Sequence, residues 1–420
     1  MPEVAYDVTP RTDEAQDRHG RADDGPPPAV PGQRLVSLDA LRGFDMFWII
    51  GIDTIIELLA KRPGADGAGP IARSLRFVAA QLQHKQWEGI AFEDLIFPLF
   101  VFIVGVSLVF SLSKALRQQT TPRVVLRIVS RAALLYLLGL MVYNGFDQPI
   151  HAFAGQSREG PNAMHAVRWM GVLQRIAICY CAAALLFCAF RPRVLVIVTI
   201  ALLVGYWLLM AYVKVPGVGR GSFAEGANLA NYLDQRFLGG YKWDGDHDPE
   251  GYLSTLPAIA TCLLGVFAGL LLKSAKPSPY AKVGALLLGG AALAGAGYAW
   301  GFLPSPVHFP VIKKLWTSSY VLLAGGYSAI ILGLFYLVID VWKLRGWATP
   351  FVWIGTNAIT IYMLVELGFV GHVAQRLVGG GHHRWPVLGE SQDLVTGVVA
   401  LVLAIAVCRF LYRKGVFIRV

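Results

Sequence analysis

The chain has 420 residues, of which 55% are hydrophobic and only 15% are charged, and its mean hydropathy is +0.53. Such a composition does not easily make a soluble surface, so we predict an all-α polytopic membrane protein. The formal net charge of +10 is spread over short connections and forms no single patch, which argues against nucleic-acid binding.

Residues 1–33 are polar and rich in Asp, Arg and Pro, which is typical of a disordered cytoplasmic tail. The first apolar segment is too long and begins too late to be a secretory signal. We therefore predict one membrane domain over residues 34–420, with about ten transmembrane helices. The predicted spans are Leu35–Leu59, Phe92–Leu112, Ile128–Tyr143, Gly171–Phe190, Val194–Val213, Leu253–Leu272, Val283–Phe302, Leu315–Val341, Phe351–Val370 and Leu394–Leu411.

Lysine and arginine residues cluster at alternate ends of these spans and before the first one. The positive-inside rule makes that side cytoplasmic, so both termini are predicted to be inside and His84 outside. The connections Asn144–Met170 and Lys214–Tyr252 also fall outside, and they are long enough to cover a site.

The first span carries five charged residues, which are costly in a bilayer unless they are paired or hydrated. Asp39 and Arg42 are one helical turn apart and can pair, either as a clamp at the inner end or as part of a ligand site. Asp45, Asp53 and Glu57 outline a polar stripe that faces the bundle interior. We favour a functional path over a hydrated structural stripe.

A histidine and three carboxylates lie immediately before and at the start of the second span: His84, Glu88, Glu93 and Asp94. Nearby carboxylates can orient an imidazole and hold its pKa near the working pH, so His84 is a candidate general base. The alternative is an ordinary solvated surface histidine.

Other motif residues have a structural and a functional interpretation. Glu250 could bind a substrate, whereas the preceding Asp-Pro could equally start a helix. Gln174 and Arg175 could bridge helices, and Asn357 is a polar group within a span. Four glycines are expected at close helix contacts: Gly105, Gly139, Gly265 and Gly269.

The cysteines and paired histidines give little support to other chemistry. All five cysteines lie within predicted spans without metal-type spacing, so no disulfide or metal site is implied. His382 and His383 lack an obvious third ligand. We predict no metal.

Several motifs from about residue 34 to the C-terminus resemble the heparan-α-glucosaminide N-acetyltransferase family of transmembrane acyltransferases. The motifs occur in one order, which makes the resemblance specific. They are Arg34–Gly43, His84–Gly89, Asp94–Gly105, Gly171–Arg175, Asp248–Gly251, Lys313–Tyr320 and Asn357–Tyr362.

The resemblance implies transfer of an acetyl group from cytoplasmic acetyl-CoA to the amine of glucosamine, or of a related amino sugar, on the far side of the membrane. It also implies that His84 is catalytic and that Asp53 lies beside it, where the lysosomal enzyme has asparagine. Asp53 could be a base or could bind the substrate ammonium. We expect a short bacterial relative in the inner membrane, without the lumenal N-terminal domain, and an acceptor other than heparan.

The chemistry requires a neutral amine, and His84 as general base would provide it by direct transfer. An acetyl-histidine intermediate is the alternative. We assign substrate binding to Glu57, Glu88, Asp94, Glu250 and Asn357, and cofactor binding to Arg42, Arg127, Arg131, Gln174 and Arg175.

Two further expectations concern partners and function class. Besides acetyl-CoA, the acceptor and the lipid bilayer, the chain could pair as a symmetric homodimer. An amino-sugar transporter without acyl transfer is the competing function, and broken helices or inverted repeats would favour it.

Overall fold

The computed structural model describes residues 35–60, 69–144, 167–379 and 391–417. Within these ranges the chain is mainly helical and has two short strands of two residues each, which confirms the all-α class. The helices are α1 (Val36–Phe47), α2 (Asp53–Ala60), α3 (Pro70–Gln81), α4 (Glu93–Gln118), α5 (Thr121–Asn144), α6 (Val172–Ala189), α7 (Pro192–Tyr212), α8 (Leu229–Phe237), α9 (Thr255–Lys273), α10 (Pro279–Phe302), α11 (Ser318–Phe335), α12 (Thr349–Thr356), α13 (Ala358–Glu366), α14 (Phe369–Leu377) and α15 (Gln392–Arg413).

In the described ranges, eight helices are long and apolar enough to cross a membrane, or nine if one bent pair counts as a span. The protein is therefore a multi-pass membrane protein. The eight are α4, α5, α6, α7, α9, α10, α15 and α11 together with its continuation to Val341. Ten spans were expected. The first and the ninth of them are not continuous helices in the structure.

The first predicted span is interrupted near its middle. A π-helical turn at Trp48–Ile52 separates α1 from α2, and Gly51 within it has φ +119°, a backbone angle that L residues rarely adopt. This segment is not among the helices that pass the membrane-span test. The break and the five charged side chains explain why it does not behave as an uninterrupted apolar helix.

The ninth predicted span, Phe351–Val370, is also broken. Helix α12 ends at Thr356, α13 begins at Ala358, and the two axes are bent by 68°. Asn357 lies at the bend and is fully buried. Its N–H donates to the carbonyl of Ile354 (3.0 Å), so the polar residue ends one helix where the next begins.

Glycines allow α4 and α9 to approach closely, as the sequence predicted. A methyl group at Gly105 would lie 1.9 Å from the carbonyl oxygen of Cys262, and one at Gly265 would lie 2.0 Å from that of Phe102. Neither distance is sterically allowed, so these positions require glycine. Gly139 and Gly269 are also in close contact with neighbouring side chains or backbone, which confirms all four.

We call the end of the bundle that carries His84 and the N-terminus of α4 the His84 end. The segment between α7 and α9 folds at this end, with the short antiparallel strands β1 (Phe223–Ala224) and β2 (Ala227–Asn228) followed by α8. Asn228 caps α8 by accepting from the N–H of Asn231 at 3.0 Å. Trp87 Nε1 donates to the Phe223 carbonyl at 2.9 Å, which joins this segment to the His84 loop.

Some predictions fall outside the described residues. These are the N-terminal tail at 1–33, most of the connection Asn144–Met170, and the pair His382 and His383. The assignment of the His84 end to the external side, and of both termini to the cytoplasm, stays a prediction.

Candidate active site

His84 and Asp94 form a hydrogen-bonded pair at the start of α4. Asp94 is fully buried, and its Oδ1 lies 3.0 Å from His84 Nδ1. Asp94 Oδ2 accepts hydrogen bonds from the backbone N–H groups of Lys85 (3.2 Å) and Ala91 (3.0 Å). A carboxylate can only accept, so Nδ1 carries the proton and Nε2 keeps its lone pair. The His84 side chain is 57% exposed and lines the cavity described below.

Lys313 completes a three-residue cluster with this pair. Its Nζ lies 3.0 Å from His84 Nδ1, 3.3 Å from His84 Nε2 and 3.3 Å from Asp94 Oδ1. Burial lowers the pKa of Lys313, and the negative charges of Asp94, Glu250 and Glu93 act in the opposite direction. A base, its orienting carboxylate and a cation therefore meet within hydrogen-bonding distance.

Two backbone contacts tie the His84 loop to the segment that carries Lys313. Glu88 forms an isolated antiparallel bridge with Ile312, and the N–H of Gly89 donates to the carbonyl of Val311 at 2.9 Å. The motif around His84 and the motif around Lys313, which are far apart in sequence, are thus joined directly. The cluster belongs to a fixed framework and is not formed by loose side chains.

The cluster opens onto a cavity of about 1320 Å³. Glu93 and Phe100 are seven positions apart on α4 and both line the cavity, so the cavity follows this helix for about 10 Å. Its polar lining includes His84, Asp53, Glu93, Arg168, Glu250, Lys313 and Glu366, and its apolar lining includes Met46, Ile50, Phe97, Phe100, Ile176 and Ile359. A space of this kind can accept a molecule with a polar head and a less polar arm.

A second ion-paired cluster borders the same cavity. Arg168 donates to both carboxylate oxygens of Asp248 (2.9 Å each) and to Glu250 Oε2 (2.7 Å). Its guanidinium also lies over the rings of Tyr143 (4.5 Å) and Trp243 (5.0 Å). Despite burial, the charge of Arg168 holds the pKa of Asp248 below its usual value, whereas burial raises the pKa of Glu250.

The polar residues of the first segment have different positions. Asp53, at the start of α2, lines the cavity together with His84. Asp45 is fully buried within α1 and is not part of the cavity lining, and Glu57 is half-buried on α2. Of the predicted polar stripe of Asp45, Asp53 and Glu57, only Asp53 therefore lines the cavity that also holds His84.

The remaining residues assigned to substrate binding also separate. Glu250 lines the cavity but is already paired with Arg168. Glu88 is exposed in the His84 loop, and Asn357 lies at the bend between α12 and α13, away from the cavity lining. Asp94 contacts His84 and is shielded from the cavity, which is the position of an orienting group.

The residues assigned to the cofactor lie at two ends of the molecule. Gln174 and Arg175 are in the first turn of α6 at the His84 end, where Arg175 donates to Ser254 Oγ and lies 5.0 Å from the Trp316 ring. Arg42 donates to Ser107 Oγ at 2.6 Å in the distal half of α4. The structure does not bring these groups into one site.

The two other arginines lie on α5, in the half that is distal to the His84 end. Arg131 lies 5.2 Å from the Tyr180 ring, and Arg127 is exposed one turn earlier. Arg42 is one turn of α1 beyond Met46, which lines the cavity. Among the three arginines assigned to the cofactor at the end distal to His84, Arg42 is the one that lies a single helical turn from a cavity-lining residue.

One group of side chains has a spacing that suits a metal ion: Glu225, Asp244 and His247. Lys314 already contacts two of them, with Nζ 2.8 Å from Glu225 Oε1 and 3.1 Å from Asp244 Oδ2. The lysine ammonium supplies the positive charge that these carboxylates require. The prediction that no metal takes part stays a prediction.

A family model described as the catalytic region of heparan-alpha-glucosaminide N-acetyltransferase matches residues 71–296, which is more than half of the chain. The chain belongs to this acetyltransferase family. His84, Asp94, Arg168 and Glu250 lie inside the matched region, whereas Asp53 and Lys313 lie outside it. The resemblance inferred from the motifs is confirmed.

Two curated relatives extend the similarity. Heparan-alpha-glucosaminide N-acetyltransferase from Mus musculus is 28% identical over 392 residues, covering 80% of this chain and 56% of the relative. The protein of the same name from Homo sapiens is 29% identical over 392 residues, covering 80% of this chain and 55% of the relative. The chain thus spans about half the length of these acetyltransferases.

Three residues that line the cavity were not assigned to the site from the sequence: Lys313, Arg168 and Glu366. Lys313 was noticed only within a motif, and Arg168 and Glu366 were not singled out. A pair of lysines immediately outside a predicted span was the available signal for Lys313. Arg168 lies beside a long connection and gives no such signal, because its carboxylate partners are about 80 residues away in sequence.

Proposed function

We propose that this protein transfers an acetyl group from acetyl-CoA to the amine of glucosamine, or of a related amino sugar, across a bacterial cytoplasmic membrane. The observation that carries the proposal is the His84–Asp94 pair, whose histidine lines a cavity of about 1320 Å³ in a multi-pass member of an N-acetyltransferase family. The family supports acetyl transfer, and the position of His84 supports its role as the base.

In the proposed reaction, His84 Nε2 removes a proton from the amino group of the acceptor. The neutral amine then attacks the thioester carbonyl, and CoA leaves as the thiolate. Asp94 holds the imidazole in the required tautomer and stabilises the imidazolium that forms. An acetyl group carried transiently by His84 is the alternative route, because a histidine can also act as the nucleophile.

The carboxylates around the cavity support an acceptor that carries a positive charge. Among the described residues, six carboxylates line it: Asp53, Glu93, Asp244, Glu250, Glu366 and Asp393. Glu250 is paired with Arg168 and Asp244 with Lys314, so the other four are the groups that we assign to attraction of an ammonium. This favours a small amino sugar over an anionic acceptor.

Acetyl-CoA is proposed to approach from the end opposite His84, with its phosphates near Arg42 and with Arg127 and Arg131 as further cations. Arg42 is about one helical turn from the cavity wall at Met46, so the pantetheine arm has a short distance to pass between the phosphate site and the cavity. A homodimer remains part of the proposal, without a role for the partner in the site.

The test is a proteoliposome assay with acetyl-labelled CoA on one side and glucosamine on the other. Labelled N-acetylglucosamine should form with the wild-type protein, and H84A should abolish this product. H308A is the matched control, because His308 lies at the same end without lining the cavity. Normal turnover by H84A would disprove the role of His84. A panel of amino-sugar acceptors, tested with the wild type, would define the substrate.

A specific feature also favours the second candidate, an amino-sugar transporter. The two interrupted helices border the cavity, through Gly51 in the first and through Ile359, two residues after the bend, in the second. Broken helices near a membrane-buried site are typical of secondary transporters. Uptake of labelled glucosamine without acetylation in the same proteoliposomes would favour this function over acetyl transfer.

A further inference from the structure

We propose that Lys313 is the group that binds the negative oxygen formed when the amine attacks the thioester of acetyl-CoA. The proposal rests on the proposed function and extends it to a residue for which neither the motifs nor the family match assign a role. Acyl transfer needs a base for the nucleophile and a donor for the oxygen, and the second is usually the larger contribution.

The position of Lys313 meets the geometric requirement. Its Nζ lies 3.3 Å from His84 Nε2, and Lys313 lines the cavity. An amine that donates to Nε2 places the carbonyl carbon that it attacks next to the same nitrogen. The oxygen on that carbon is then within reach of an ammonium at this distance.

Counting the hydrogens of the ammonium shows that it has capacity for a ligand. Lys313 carries three N–H groups, and one of them can donate to Asp94 Oδ1 at 3.3 Å. His84 Nδ1 already donates its own proton to Asp94, so it cannot accept from Lys313. A second N–H can point to His84 Nε2 at 3.3 Å until the acceptor amine takes this position. At least one N–H is therefore available to an oxygen in the cavity.

The turn that presents Lys313 is fixed from several sides. Trp316 has φ +51°, an unusual value for a residue other than glycine, and its N–H donates to the Lys313 carbonyl at 2.8 Å. Its indole N–H donates to Thr261 Oγ1 at 3.0 Å, and Arg175 lies against its ring. A strained turn that is held on both faces places the ammonium reproducibly, which oxyanion stabilisation requires.

Neighbouring cations have other partners. Arg168 is engaged by Asp248 and Glu250, and Lys314 is engaged by Glu225 and Asp244. Lys85 contacts Asp94 through its backbone N–H, and its side chain is exposed. Within the described residues, Lys313 is the cation with both a contact to His84 and a position on the cavity wall.

His84 Nε2 first takes the ammonium proton of the acceptor and releases it to solvent. The neutral amine nitrogen then forms a bond to the acyl carbon while a second proton passes to His84 Nε2, and the carbonyl π electrons move to the oxygen that Lys313 binds. Collapse of this intermediate re-forms the C=O bond and expels the CoA thiolate, which takes the second proton from the imidazolium. The products are an amide and a thiol, and Lys313 keeps its proton throughout.

The experiment compares K313M, K313R and K214M with the wild type in detergent or proteoliposomes. K313M should lower kcat by about 10²- to 10³-fold, because one oxyanion donor is lost. K313R should recover at least part of this loss, since a cationic donor is restored. K214M is the matched control, because it removes an exposed ammonium that follows α7 and does not line the cavity, and its kcat should stay close to that of the wild type.

Two binding measurements distinguish the proposed role from a structural one. The dissociation constant for acetyl-CoA should be little changed in K313M, whereas the affinity for a trifluoroacetonyl thioether of CoA, whose hydrated carbonyl imitates the tetrahedral intermediate, should fall by a factor similar to that in kcat. Equal losses for both ligands, or a marked fall in the unfolding temperature, would overturn the proposal.

The outcomes also separate this proposal from the function on which it rests. If the wild type transfers acetyl, H84A does not, and K313M keeps the wild-type kcat, the role of Lys313 is wrong and the proposed function stands. If the wild type forms no acetylated amine from any amino-sugar acceptor, the proposed function fails and the role of Lys313 fails with it.

Discussion

Two cation-centred clusters border the same cavity, and they are built differently. Arg168 makes three hydrogen bonds of 2.7–2.9 Å to two carboxylates and is enclosed by the rings of Tyr143 and Trp243. Lys313 makes longer contacts of 3.0–3.3 Å to His84 and Asp94. The side chain of Arg168 is 4% exposed, whereas that of Lys313 is 21% exposed.

We interpret the Arg168 cluster as structural and the Lys313 cluster as the proposed chemical centre. A guanidinium whose donors are satisfied in a bidentate geometry has little capacity for a ligand, but it fixes the segment between α8 and α9 against the start of α6. An ammonium with incomplete partners next to an accessible imidazole can still bind a reacting group. Similar residue types in one cavity therefore serve different purposes, and substitutions should divide accordingly into effects on turnover and on stability.

The largest expected effect is on turnover, from D94N. An asparagine cannot serve as a charged acceptor for Nδ1–H, so the imidazole loses its preferred tautomer and the charge that stabilises the imidazolium. We expect kcat to fall by about 10²- to 10⁴-fold. Steady-state kinetics of the purified protein measure this, and circular dichroism checks that the helical content is kept. Wild-type turnover by D94N would mean that the pair has no catalytic role.

The next effect is on stability, from R168M. This substitution leaves Asp248 buried without its partner, which typically costs about 3–5 kcal/mol. The unfolding temperature in detergent should drop markedly, and the double variant R168M/D248N should recover part of it because the uncompensated charge is gone. A stable R168M with impaired turnover would contradict the division between the clusters.

Arg42 tests the opposite end of the molecule. If its guanidinium binds the phosphates of CoA, R42A should lose a charge-assisted hydrogen bond of about 1.5–3 kcal/mol, which corresponds to about a 10- to 100-fold weaker affinity for acetyl-CoA. Isothermal titration calorimetry measures the dissociation constant. R123A, in the exposed start of α5, is the control and should bind normally. Unchanged affinity in R42A would refute the assignment.

The smallest expected effect is a pH dependence of stability next to the Arg168 cluster. Burial raises the pKa of Asp234 to about 6, although it accepts the N–H groups of Tyr252 and Asp248. Because the folded pKa exceeds the unfolded value of 3.8, the stabilising contribution is complete below pH 3.8 and is lost as the pH rises through about 6.

D234N removes this titration. Between pH 5 and pH 7.5 the unfolding temperature of the wild type should therefore fall by about 2–4 °C more than that of D234N. Thermal unfolding of both proteins at the two pH values measures this difference. Parallel shifts in the two proteins would show that the carboxyl of Asp234 does not titrate differently on folding.

The helical membrane fold could be predicted well because it depends on local properties. Long apolar segments such as those of α4 and α9 identify membrane helices without any tertiary information. The interruptions at Gly51 and Asn357 were not predicted, since one glycine or asparagine in an apolar segment is also compatible with a continuous helix. Only packing against neighbouring helices decides between these outcomes.

The candidate site could be predicted in part. His84 and Asp94 are ten residues apart, and their position at the start of one helix suggested an association. The contact between His84 and Lys313 joins residues that are 229 positions apart, and no periodicity in one sequence can reveal it. The residues assigned to the cofactor differ from this pair, because basic character grouped Arg175 with Arg42 and the structure places them toward different ends of the molecule.

The close backbone contact between α4 and α9 has a consequence for how ligands reach the cavity. Gly105 and Gly265 leave no room for one helix to slide along the other, so the carboxylate that orients His84 is mounted on an immobile frame. The breaks at Gly51 and Asn357 lie in other helices, so any adjustment of the cavity to the proposed ligands would fall on those segments and leave the His84–Asp94 pair in place.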